Sequence, residues 1–245
     1  MLHYIVAVYV GLRFDKNVNA CLQNTSALVE AHIEKLSTLQ VQDIKKVTFV
    51  VSPSQNPARD NSVKEYVINN KHRLPDIEVD CVIRPDNSNF SYGSWNYIMK
   101  KNLDQGLDFF LIEDDYIPNV DRFYGPFMEK VRSDIAFVPQ WWRTDHEHQH
   151  AAISNGLMPL FAARAHFEKY GECINMTLPV EPSEGNDGVL SQMHFLDNFS
   201  SLNMHVHDIY AEYCHPFLKN NHTVAVFGNR NGIKLLVPFF RQGTY

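Results

Sequence analysis

Cysteine is scarce and never closely spaced: Cys21, Cys81, Cys173 and Cys214 form no CxxC pair. That excludes a thiol motif built on near neighbours and suits a reducing compartment, where cysteines serve as small buried hydrophobes. Positive charge is also short, with 22 Lys and Arg against 28 Asp and Glu and a net charge of −6. A basic nucleic-acid footprint is therefore excluded, and a phosphate ligand would need local cations or a bound metal. No apolar run approaches the length of a membrane span, so no membrane insertion is expected. The opening LHYIVAVYVGL lacks the basic flank and small-residue cleavage site of a signal peptide. Without an export signal, the N-x-S/T triplets at Asn24, Asn89, Asn175, Asn198 and Asn221 read as chance, and the expected location is cytoplasmic. No repeat, low-complexity tract or linker divides the 245 residues. One domain with a real core is the economical expectation.

What is present is alternation. Ile5 to Val10 is a β-branched apolar run, and Leu22, Val29, Ile33 and Leu36 then fall on one helical face. KKVTFVVSP predicts a second strand, and Val63 and Val67 mark a short helix. IEVDCVIRP predicts a third strand, GSWNYIMKKNL a helix, and DFFLI a fourth strand. Strand and helix in turn at this spacing predict parallel βαβ units in an α/β fold. Ligands of such sheets sit at the carboxyl ends of the strands. The second half is less regular. IAFVPQWW predicts a strand, RTDHEHQHAAISNG a polar loop, and LMPLFAARAHFEKYG a strand passing into a helix. EPSEGNDGVLSQMHFLDNFSS predicts a loop and helix, NMHVHDIYAEYCHPF a strand and its exit, and TVAVF-GNRNG-IKLLVPFF a C-terminal hairpin.

The stretch FFLIEDDYIP carries the chemistry. It sets Glu113, Asp114 and Asp115 at the end of an apolar strand, with Pro118 closing the segment. Three adjacent carboxylates repel one another unless water or a cation offsets them. A hard divalent ion, Mn²⁺ or Mg²⁺, takes such oxygen ligands together with substrate phosphates. The plain alternative is a solvated acidic turn. The run Asp145, His146, Glu147, His148 and His150 matches no structural zinc spacing and reads as a polar loop that could close over a ligand. Trp141 and Trp142 should point to opposite faces of a strand, one able to stack on a sugar and one to pack inside. Tyr92 and Trp95 read as helix-core aromatics, while Glu184 and His207 are lesser site candidates.

These elements in this order, with the acidic triplet ending the fourth strand, resemble GT-A glycosyltransferases, nearest to the inverting family-2-like nucleotide-sugar transferases. The resemblance covers roughly residues 4 to 216. It implies a mixed, mainly parallel sheet flanked by helices in a single domain over 1–245. Residues 1–118 would form the nucleotide-sugar half, 119–216 the acceptor half, and 217–245 an extension that matches nothing in the family. The triplet takes the place of the family's DxD motif, with Asp115 as metal ligand and Glu113 and Asp114 facing ribose and metal-bound water. VIRPDNSNFSYGSWNYI places Arg84, Asn89, Gly93 and Asn96 near the donor. EGNDG offers Asp187 as catalytic base, or else as a helix cap. YAEYCHPF offers His215 as a second metal ligand, or else an ordinary histidine. The chain departs from the pattern in having Glu first in the triplet, and in a longer spacing between Arg84 and Asn96.

The implied activity is metal-dependent transfer from a nucleotide diphosphate sugar, in this family most often a UDP-sugar, to a saccharide hydroxyl. The chain could also be one module of a multidomain enzyme. One base opposite the leaving group implies inversion. Two rivals remain. A metal-dependent nucleotidyltransferase wants a glycine-rich, lysine-containing loop after the first strand, and Gly11-Leu12-Arg13-Phe14 is a poor one. A non-catalytic carbohydrate-binding module explains aromatics and polar loops, but not three acids at a central strand end.

Overall fold

A computed structural model describes residues 1–10, 13–15, 20–22, 25–54, 56–139, 142–145, 150–153, 155–174, 199–207, 209 and 240–242. Its strands and helices in chain order begin with β1 (Leu2–Tyr9), β2 (Arg13–Asp15), β3 (Ala20–Leu22), α1 (Thr25–Thr38), β4 (Ile44–Ser52) and α2 (Pro57–Asn70). There follow β5 (Glu78–Ile83), α3 (Phe90–Lys101), β6 (Asp108–Glu113), β7 (Tyr116–Pro118) and α4 (Gly125–Met128). The remainder are β8 (Ile135–Pro139), β9 (Trp142–Asp145), β10 (His150–Ile153), β11 (Gly156–Met158), α5 (Leu160–Tyr170), β12 (His205–Val206) and β13 (Phe240–Gln242).

Seven strands form one sheet in the order β12-β8-β11-β6-β1-β4-β5. β1, β4, β5 and β6 run parallel, and β12 runs parallel to β8. β11 alone is antiparallel to both of its neighbours, β6 and β8. The fold is thus α/β with a mixed, mostly parallel sheet, as the alternation predicts. β1 is buried along nearly its whole length, as a central strand covered on both faces should be. Its side chains alternate between two cores. Tyr4, Val6 and Val8 pack with Val29, Ile33, Val63 and Val67 of α1 and α2. Ile5 and Ala7 pack with Trp95, Ile98 and Met99 of α3 and Ala162 and Ala163 of α5. Phe110 and Ile112 follow the first set, Phe109 and Leu111 the second. Tyr92 and Trp95 are core aromatics with ring centroids 5.0 Å apart. Cys81 and Cys173 are buried, and burial pushes both thiols up to about 12.

Local rules account for the element ends. α2 begins where the Asn56 side chain accepts the Arg59 N–H at 3.3 Å, with Pro57 in the first turn. α5 ends on Gly171 at φ 74°, whose N–H reaches the Phe167 carbonyl.

Two local expectations change. Leu22 belongs to β3, paired with β2, and not to the face of α1. The polar stretch 143–156 holds β9 and β10, which pair antiparallel in the register Asp145↔His150 to Ile153↔Trp142. Trp, Thr and Ile at those positions suit strands, and the many polar neighbours hid them. β13 pairs with β7, whereas the hairpin expected around 223–240 lies almost wholly outside the described residues. Among the described residues no helix is long and apolar enough to cross a membrane.

Candidate functional site

Chain order and sheet order meet at one place. From β1 the chain proceeds outward through β4 to β5, then returns over the other face through α3 to β6 on the opposite side of β1. The connections diverge at the carboxyl ends of β1 and β6, which is where open α/β sheets bind ligands. Glu113 pairs with Ala7 at that edge, and the chain turns through Asp114 and Asp115 into β7.

The triplet is held from every side. The Glu113 N–H donates to the Asn155 side-chain oxygen at 2.6 Å, and the Ser91 hydroxyl donates to Glu113 Oε1 at 3.1 Å. Ser91 lies in the first turn of α3, so the start of that helix is tied to the end of β6. The Asp114 N–H donates to the Ala7 carbonyl at 3.1 Å, and Asp114 Oδ2 accepts the Tyr9 N–H, also at 3.1 Å. The Asp114 carbonyl accepts from His32 Nε2 at 2.9 Å. Trp95 Nε1 donates to the Ile112 carbonyl just before the triplet. Asp114 and Asp115 are each only 1% exposed, which sets them apart from a solvated acidic turn.

Because a carbonyl only accepts, His32 carries its proton on Nε2. Its Nδ1 then accepts the Tyr4 hydroxyl at 3.0 Å. Burial pushes the imidazole down to about 4, against the opposing pull of the Asp114 carbonyl and the Asp115 charge, so the ring is neutral at pH 7.

The other expected donor residues gather around the start of α3. Arg84 leaves β5 with its guanidinium buried, donating to Ser94 Oγ at 3.2 Å, to the Ser88 carbonyl at 2.8 Å and to Asp86 at 3.2 Å. The Ser88 side chain and N–H hold the Asp86 carboxyl below its usual range, and Arg84 adds to the effect. Asn89 takes the left-handed conformation at φ 58°, a role Asn fills more readily than most residues. Gly93 lets Arg84 pass: a Cβ there would overlap the Ser88 carbonyl and lie 2.7 and 2.9 Å from the guanidinium nitrogens. The N-terminal part of α3 therefore joins both groups, through Ser91 to Glu113 and through Ser94 to Arg84. Asn96 does something else. Its Oδ1 accepts the N–H groups of Cys173 and Ile174 at 2.9 and 3.3 Å, and its Nδ2 donates to Glu172, tying 172–174 to α3.

Asp187, Glu184, His215, Trp141, His146, Glu147 and His148 lie outside the described residues. His207 follows β12, three strands from β6, about 14 Å across the sheet at the usual strand spacing. Among the described residues no three His, Cys, Asp or Glu side chains are grouped to hold a metal ion. The donor set still fits a hard divalent cation, which binds through one or two carboxylates and completes its shell with water and phosphate oxygens.

Sequence reasoning missed His32 and Asn155. His32 left a trace, because it interrupts the buried face formed by Leu28, Val29, Ile33 and Leu36. Asn155 left none beyond its position before Gly156. No protein-family model matches the chain, and no curated protein proves similar to it in sequence.

Proposed function

We propose that the chain is a metal-dependent, inverting glycosyltransferase. It moves a sugar from a nucleotide diphosphate donor, a UDP-sugar, to a saccharide hydroxyl. One observation carries the reading: two almost fully buried aspartates follow a central parallel strand at the switch point of the sheet, the first of them, Asp114, tied to the exit of β1. A hard divalent cation binds through one or two such carboxylates and completes its shell with water and phosphate oxygens. In this reading Asp115 holds Mn²⁺ or Mg²⁺, Asp114 is oriented by Tyr9, and Glu113 stands beside the start of α3, facing ribose. The cation, when bound, neutralises the charge that develops on the departing diphosphate. Arg84, Asn89 and Gly93 shape the wall beyond Glu113 by fixing the loop before α3. The resemblance supplies Asp187 as base and His215 as second ligand.

The test is release of nucleotide diphosphate from a panel of nucleotide sugars, with and without Mn²⁺, in the presence of mixed oligosaccharide acceptors. The reading expects metal-dependent release from a UDP-sugar by the wild type and loss of at least ~10²-fold in Asp115→Asn. Absence of release from every sugar overturns it. Turnover of a nucleoside triphosphate with a sugar phosphate instead would identify a nucleotidyltransferase.

A further inference from the structure

Beneath the acidic turn lies a buried polar chain that the proposed reaction does not use directly. It runs from the Tyr4 hydroxyl through the His32 ring to the Asp114 carbonyl, at 3.0 and 2.9 Å, and both side chains are 0% exposed. The surroundings are apolar: the Tyr4 ring stacks on Phe110 at 5.8 Å, and Phe49 meets His32 edge-on at 6.3 Å. A carbonyl turned into such a core needs a donor. Any donor would satisfy it, so the choice of an imidazole, which meets the Asp114 carbonyl through one ring nitrogen and the Tyr4 hydroxyl through the other, is informative. A Lys or Arg at this point would pair with the carboxylates and compete with a cation for them. The imidazole N–H holds the turn and leaves its negative charge for the metal. The Tyr4 hydroxyl, by donating to Nδ1, keeps the ring proton on the nitrogen that faces Asp114.

We infer that His32, oriented by Tyr4, is a positioning residue that sets the cation affinity of the Asp114–Asp115 turn. The inference rests on the metal reading proposed above. It assigns His32 a role in holding the backbone between the two acids, not contact with the donor. Groups that orient a metal's ligands typically contribute ~10- to 100-fold in affinity, which is the scale expected here.

The experiment compares full-length wild type, His32→Leu, His32→Gln and Tyr4→Phe. The free Mn²⁺ signal in electron paramagnetic resonance gives the Mn²⁺ dissociation constant in the presence of UDP. Hydrogen exchange followed by mass spectrometry reports on the 114–116 amides. His32→Leu is expected to weaken Mn²⁺ binding ~10-fold or more and to speed exchange at the turn. His32→Gln, whose amide can still donate to the Asp114 carbonyl, should stay within ~3-fold of wild type on that scale. Where His32→Leu does not fold, Tyr4→Phe keeps its ring packing and should show the same loss in smaller measure. A folded His32→Leu, or failing that Tyr4→Phe, with wild-type Mn²⁺ affinity and unchanged exchange overturns the inference. Equal losses in His32→Leu and His32→Gln also overturn it, since a donor would then not be what matters. If the wild type itself binds no Mn²⁺ with UDP, the metal reading fails and takes the affinity claim with it. Exchange at the turn then still decides whether His32 positions it.

Discussion

Gly93→Ala sets helix propensity against packing. Gly93 is in the first turn of α3, and in an ordinary helix interior alanine is favoured over glycine by ~1 kcal/mol. Here the added methyl group overlaps the Ser88 carbonyl and falls 2.7 and 2.9 Å from the two terminal nitrogens of Arg84. Neither neighbour can yield freely. The Arg84 side chain is only 4% exposed, and Ser88 is itself bonded to it. Displacing the guanidinium strips a buried charge of partners, which costs about 3–5 kcal/mol when complete. With partial displacement and the propensity gain set against it, Gly93→Ala should destabilise by ~2–3 kcal/mol. Urea unfolding followed by circular dichroism measures this directly. In an Arg84→Met background the penalty should shrink, because one of the two obstructing groups is gone. A Gly93→Ala protein as stable as wild type, or more stable, would refute the packing argument and leave propensity as the rule at this site.

Asn155→Ala leaves the Glu113 N–H without its side-chain acceptor, and should lower stability by ~1–2 kcal/mol in the same urea assay. An unchanged midpoint would mean that water replaces the amide. His3 is 0% exposed, bonded to Thr48 at 2.8 Å, and pushed down to about 3 by burial and the nearby Lys46 charge. The folded chain keeps this ring neutral while the unfolded chain protonates it near 6.5. Stability should therefore fall as pH drops from about 6.5 towards 3, by at most ~1.4 kcal/mol per pH unit from this group. In His3→Gln the slope of stability against pH between 6 and 4 should be shallower by about one proton, and an identical slope would remove His3 from the account.

The sheet was legible because β1, β4 and β6 are runs of Val, Ile, Phe and Leu bounded by turn residues, as strands covered on both faces must be. α2 was legible only in part: Val63 and Val67 are its buried apolar residues, while Asn56 and Pro57 fix where it starts. The acidic triplet could be placed at a strand end by pattern alone. Its burial could not, since the groups that enclose it come from α1, α3, the exit of β1 and the approach to β11. Those contacts link residues tens of positions apart, and no local period encodes them. Arg84 and Asn96 show the same limit. Their residue types suit a polar ligand, yet the partners the structure gives them include Ser94 for Arg84 and the 172–174 backbone for Asn96.

The central claim is that the buried acids hold a cation together with a nucleotide diphosphate. The most direct measurement is the melting temperature of wild type and Asp115→Ala with UDP, UDP-sugars and other nucleotide diphosphates, each with and without Mn²⁺. A ligand present at ~100 times its dissociation constant adds about 2.7 kcal/mol, a clear shift for a chain of this size. The account predicts a shift with UDP or a UDP-sugar that requires Mn²⁺ and disappears in Asp115→Ala. A wild-type protein indifferent to every nucleotide, or one stabilised equally without metal, would contradict it.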